Sequence, residues 1–191
     1  MRRGRIGLVL FLVAGAFCVQ TIAVPFSMFP KAGHLVSPDG RYEVRDADRE
    51  GSAGEFVGTF HSLWLIEVAT RSSRKLCDYV GLAAVAWSSN DYLVVTQYVG
   101  KKTSRALVFA AAASEEPVLL DTSTLIQMVP VELRDTLRGN DHVFVEASRL
   151  VEETFYFHVW GYGKHDPSGF RWNCEYSLRE DKVLCPAGSK K

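Results

Sequence analysis

From Tyr42 onward the apolar residues come in short β-branched and aromatic runs, separated by clusters of Gly, Pro, Asn, Asp or Ser. Runs of that length are too short for helices and suit strands, so this rhythm commits the chain to a mainly β fold. Tyr42 and Val44 alternate with charged residues. Leu63-Trp64-Leu65-Ile66-Glu67-Val68 is apolar on both parities, which predicts a strand covered on both faces. Strands are also predicted over 92–96, 106–109, 142–145, 155–160 and 170–172. One short helix is expected, with Pro130 in its first turn and Gly139 as its stop. Val129, Leu133 and Leu137 give it a single apolar stripe to lay on a sheet. With 191 residues, 47% of them hydrophobic and 23% charged, the chain can bury a core of its own, and disorder is excluded.

The turns recur. Ser37-Pro38-Asp39-Gly40-Arg41 leads into Tyr42, Ser88-Ser89-Asn90-Asp91 into Tyr92, and Gly139-Asn140-Asp141 into His142, so the three strand openings fall fifty residues apart. Ser37-Pro38-Asp39-Gly40-Arg41-Tyr42, followed by the 63–70 run, resembles a blade of the TolB/WD40-like propeller repeats. Ala86-Trp87-Ser88-Ser89-Asn90-Asp91-Tyr92 is similar to a second, degraded copy. The chain as a whole resembles small exported bacterial proteins that share such repeats. The resemblance implies antiparallel, blade-like meanders. Three units are too few to close a ring, so an incomplete propeller or sandwich-like arrangement is expected. A 23-residue insertion, spanned by Arg45 to Glu67, is predicted between the first two strands. By analogy with the fold, the resemblance implies a binding or interaction module.

The first 29 residues form a separate segment. Arg2, Arg3 and Arg5 precede an apolar run from Ile6 to Val19, the pattern of an export signal. A retained membrane anchor over residues 6–26 is the favoured outcome, with cleavage after Ala23 as the alternative. In either case the β domain, residues 30–191, lies outside the cytoplasm. Phe17 is too bulky for lipoprotein processing at Cys18. The whole chain has 22 cations and 22 anions. Removing the three arginines leaves 19 against 22, a charge of −3, which gives the exported part no attraction to nucleic acid. The partners expected are the membrane and an envelope protein or small ligand.

Cys174 and Cys185 flank a polar turn. A four-residue loop from Leu178 to Asp181 pairs positions that sum to 359: Ser177 with Lys182, Tyr176 with Val183, Glu175 with Leu184. The cysteines then face each other at a non-hydrogen-bonded pair, within disulfide reach, in an exported location that permits the bond. Two separate buried thiols are the alternative. Cys77 has no partner in this scheme. The 160–170 stretch reads either as a binding loop or as a structured hairpin loop. In the first reading Tyr162 and Trp172 are the stacking surface and His165 and Asp166 the polar handles. In the second, Asp166-Pro167-Ser168-Gly169 forms a type I turn. No nucleophile elbow, phosphate loop or metal-ligand spacing is present, so no catalytic residue, metal or cofactor is assigned. A hydrolase or glycan-acting enzyme built on the 160–170 loop is the second functional reading. A structural envelope protein that pairs through a sheet edge is the third.

Overall fold

The computed structural model describes residues 24–53, 56–88, 92–113, 115–164 and 166–186. Among the described residues the fold is mainly β, with two helices and no closed barrel. Strands β1 (Ser27–Phe29), β2 (His34–Val36), β3 (Tyr42–Ala53), β4 (Phe56–Glu67), β5 (Ser73–Val80) and β6 (Ala83–Trp87) are followed by β7 (Tyr92–Val99), β8 (Thr103–Ala110) and β9 (Val118–Leu120). Helices α1 (Thr122–Met128) and α2 (Val131–Arg138) then lead to β10 (His142–Val151), β11 (Thr154–Tyr162), β12 (Phe170–Ser177) and β13 (Lys182–Leu184).

Strands β2 to β5 form a four-stranded antiparallel meander. The remaining nine build a mixed sheet in the order β1-β6-β7-β8-β10-β11-β12-β13, with β9 paired to β8. Tyr42, Tyr92 and His142 each open a strand, as their fifty-residue spacing predicts. The first two share a clasp. Ser37 donates its N–H to the Tyr42 carbonyl (2.8 Å), and its Oγ accepts from the Tyr42 N–H (2.9 Å); Ser88 and Tyr92 repeat both bonds at 2.8 and 3.1 Å. Gly40 closes its turn at φ 73°, where a side chain would be strained.

Two cores result. One is walled by the inner face of the small sheet, through Val44, Leu63 and Leu65, and by Val85, Leu93, Val95 and Leu107 of the large one. The other gathers the opposite face of β6–β8, both helices and the inward face of β10–β13. Strand β7 therefore has its central residues buried on both sides.

The larger sheet is joined at its middle by a thin seam. Parallel strands β8 and β10 share one registered pair, Thr103 with Val143. Beyond it the Ser104 side chain stands in for the ladder: its hydroxyl donates to the Val145 carbonyl and accepts from the Val145 N–H, both at 2.7 Å.

Several expectations are corrected. The predicted insertion is a hairpin, in which β3 and β4 pair continuously from Tyr42 opposite Glu67 to Ala53 opposite Phe56. There are two helices where one was expected. The predicted helix is α2, with Val129, Leu133 and Leu137 buried in the second core, and α1 precedes it. Residues 24–29, the end of the expected segment 1–29, reach the larger sheet by three contacts. Val24 bonds Leu150, β1 pairs with β6, and Phe26 packs against Phe155 at 6.1 Å. Among the described residues no helix is long and apolar enough to cross a membrane. Residues 6–23 of the proposed anchor, with Cys18 and the Ala23 cleavage site, lie outside the described residues.

Helix α1 is held at its start by Asp121, whose carboxylate accepts from the Thr124 N–H at 2.9 Å while the Thr124 hydroxyl accepts from the Asp121 N–H at 3.0 Å. Burial opposes ionisation of Asp121. The bonds from Thr124 and Ser123 outweigh it and hold the carboxyl below the usual aspartate range. A carboxyl depressed in the folded state adds stability above its unfolded pKa, and that stability is lost as pH falls through the folded value. Asp121→Ala should therefore cost about 1 kcal/mol at neutral pH. Urea melts should show the gap from the parent closing as pH falls below the usual aspartate range and the parent's carboxyl protonates.

Candidate functional site

The C-terminal hairpin adopts the predicted register. Ser177 faces Lys182, Tyr176 faces Val183, and Glu175 faces Leu184. Cys174 and Cys185 are joined with Cα atoms 4.3 Å apart. The pleat places both cysteines on the core side with Trp172, Tyr176 and Val183, all buried.

The loop between β11 and β12 is shorter than its sequence suggests, because β11 runs through Tyr162 and β12 starts at Phe170. Asp166 accepts from the Gly169 N–H through its carbonyl (3.1 Å) and its carboxylate (3.2 Å), so it shapes its own turn. His165 lies outside the described residues. Gly161 stands opposite Phe170 and Val159 opposite Trp172, so Tyr162 and Trp172 project from opposite faces of the sheet. Trp172 is 5% exposed and belongs to the core, while Tyr162 is 43% exposed. The two do not form one stacking surface. His158 is partnered, with Nδ1 2.8 Å from Asn173 Oδ1 across the strands.

Tyr162 instead joins a row of rings on the outer face of β10 and β11. It stacks on His142 at 4.5 Å, and Phe144 stacks on Trp160 at 4.2 Å. Tyr98, at the end of β7, meets Phe144 edge-on at 6.1 Å. Cross-strand register builds the row, since His142 pairs with Tyr162 and Phe144 with Trp160.

The row runs into a groove of about 530 Å³ across the β8–β10 seam. Its apolar walls include Phe26, Met28, Leu82, Tyr98, Phe144 and Trp160. Ser104 and Glu146 supply polar atoms at its margin. Both the volume and the predominance of apolar and aromatic walls suit a small-molecule site. Tyr98 is 53% exposed, and Met28 and Leu82 are also exposed, so the apolar surface continues past the groove mouth. Trp160, in the same wall, has a buried indole N–H with no acceptor, and the His142 Nδ1 at the end of the row is buried and unpartnered as well. Such orphans cost about 1–3 kcal/mol each.

The groove was hidden from the sequence because its walls come from six strands, the β5–β6 connection and the segment before β1. Alternating aromatics in 142–144 and 160–162 were the available signal. No protein-family model, curated protein or solved structure matches this chain.

Proposed function

We propose that the protein is an extracytoplasmic binding module that takes an apolar chain with an oxygen acceptor, an acyl chain with its carboxyl or ester, into the groove between Tyr98 and Trp160. The groove carries this reading: its walls are apolar and aromatic, and its polar atoms are few. Membrane attachment through the apolar segment ahead of Val24 fits the same reading, because the chain enters the domain at Pro25, Phe26 and Met28, on the lip of the groove. The three four-stranded units, β2–β5, β6–β9 and β10–β13, are taken as blade-like meanders similar to the TolB/WD40-like repeats, arranged as an open set. Edge pairing is a weaker reading for the large sheet, because it ends in the three-residue strands β1 and β13.

Dibrominated stearate tests the proposal, because bromine quenches a tryptophan it touches. Titration into the full chain should quench fluorescence saturably in the micromolar range. The quenching should disappear in Trp160→Phe and shift about tenfold to weaker binding in Tyr98→Ala, a loss of about 1.4 kcal/mol. Absence of saturable quenching, or quenching that survives Trp160→Phe, would overturn the reading.

A further inference from the structure

We propose that the four-stranded sheet carries a divalent-metal site formed by Asp46, Asp48 and His61. The site is independent of the groove and goes beyond the binding role assigned to it. Asp46 and Asp48 are two residues apart on β3 and so share a face. The β3–β4 register sets His61 directly opposite Asp48, and the β4–β5 register sets Tyr79 opposite His61.

Both carboxylates converge on one atom. His61 Nδ1 lies 2.8 Å from Asp48 Oδ1 and 3.1 Å from Asp46 Oδ2, and the ligand atoms of all three residues lie within 4.8 Å of one another. A single ring N–H cannot give two carboxylates a full-strength hydrogen bond each. An imidazole also carries at most one positive charge, so the trio remains net negative in either protonation state. Both carboxylates have this imidazole as their ion-pair partner among the described residues. Asp46 can draw little help from solvent, with a side chain 9% exposed.

A cation held by the same three atoms resolves both problems. Neighbouring ligands at right angles around an ion with bonds of about 2.1 Å lie about 3.0 Å apart, while a tetrahedron would need about 3.4 Å. The observed 2.8 and 3.1 Å lie near these values, so small side-chain shifts would seat a cation among the three residues, with its remaining positions left to water. Asp48, 69% exposed, marks the open side through which an ion would enter. One imidazole with two carboxylates suits a first-row divalent ion such as zinc or manganese better than calcium or magnesium, whose preferred ligands are all oxygens.

The surroundings are arranged as a metal site requires. Tyr79 donates its hydroxyl to the other oxygen of Asp46, Oδ1, at 2.7 Å, which leaves Oδ2 turned to the site. Its ring also stacks on His61 at 5.0 Å and fixes the plane of the imidazole. Tyr79 is thus a positioning residue. The spacing of these residues in sequence carried no metal signal, because the ligands meet only through hairpin register.

Calorimetric titration of the metal-stripped full chain with zinc chloride tests the site. One equivalent should bind in the micromolar range, with calcium and magnesium at least tenfold weaker. Asp48→Asn changes an exposed side chain, should leave the circular dichroism spectrum unchanged, and should lose that equivalent. Tyr79→Phe should weaken binding about tenfold to a hundredfold without changing the stoichiometry. Should Tyr79→Phe fail to fold, Asp48→Asn still decides the matter. No saturable zinc binding, or a full equivalent retained by Asp48→Asn through histidines elsewhere, would overturn the proposal.

Discussion

Replacing Phe157 with alanine should destabilise the protein by about 3–5 kcal/mol, the usual range for removing a fully buried aromatic ring. Phe157 is buried in the second core, stacked on Phe155 at 5.0 Å, with Ala147 and Cys174 as its cross-strand neighbours. Strands pair on both sides of β11, so the backbone has little freedom to collapse into the space left behind. For a chain of this size the melting temperature should fall by about 10 °C or more. A loss below about 1 kcal/mol would show that the β10–β12 face is not packed as described.

Removal of the disulfide should have the next largest effect. The cysteines are eleven residues apart in sequence, and the chain-entropy argument assigns closure of a loop that short somewhat under 3 kcal/mol. The registered β12–β13 hairpin already keeps its ends close even without the bond. The Cys174→Ala, Cys185→Ala double variant should therefore lose about 2 kcal/mol. Mass spectrometry of the unreduced chain should find a peptide joining Cys174 to Cys185. Cys77 should alkylate slowly until the protein unfolds, since burial pushes its thiol up to about 12. Linkage of Cys77 to either partner would contradict the hairpin. Because Cys174 faces Phe157, combining the two changes should give a loss that differs from the sum of the separate losses.

What could be read from sequence depended on how local the determinant was. The β12–β13 register follows from one turn length and two cysteines, all within a dozen residues, and it was legible. Helix α2 was legible from Pro130, Gly139 and a three-residue stripe. Helix α1 was not: it has seven residues, one of them fully buried, and its start depends on the Asp121–Thr124 exchange. The β3–β4 hairpin was hidden because 45–51 is mostly charged and lacks the apolar alternation that marks a strand. Tyr162 and Trp172 both look exposed in a glycine-rich stretch. Their faces depend on where the β11–β12 loop begins, and the loop's composition does not show that. Asp46, Asp48 and His61 illustrate the same limit, since a two-residue and a fifteen-residue interval become neighbours only once the pairing is known.

The junction at Thr103 and Val143 has a mechanical consequence. Elsewhere in the large sheet, rotation of one strand against the next is resisted by a ladder of several bonds. Here the strands share one registered pair and one serine hydroxyl, with a second tie where Val24 bonds Leu150 and Phe26 meets Phe155. Tyr98 stands on one side of that junction and Phe144 and Trp160 on the other, so the two jaws of the groove belong to different ladders. A twist about Ser104 opens or narrows the space between them while the strand pairing within each half stays intact. The width of the mouth is therefore set by fewer strand-to-strand bonds than hold either jaw together.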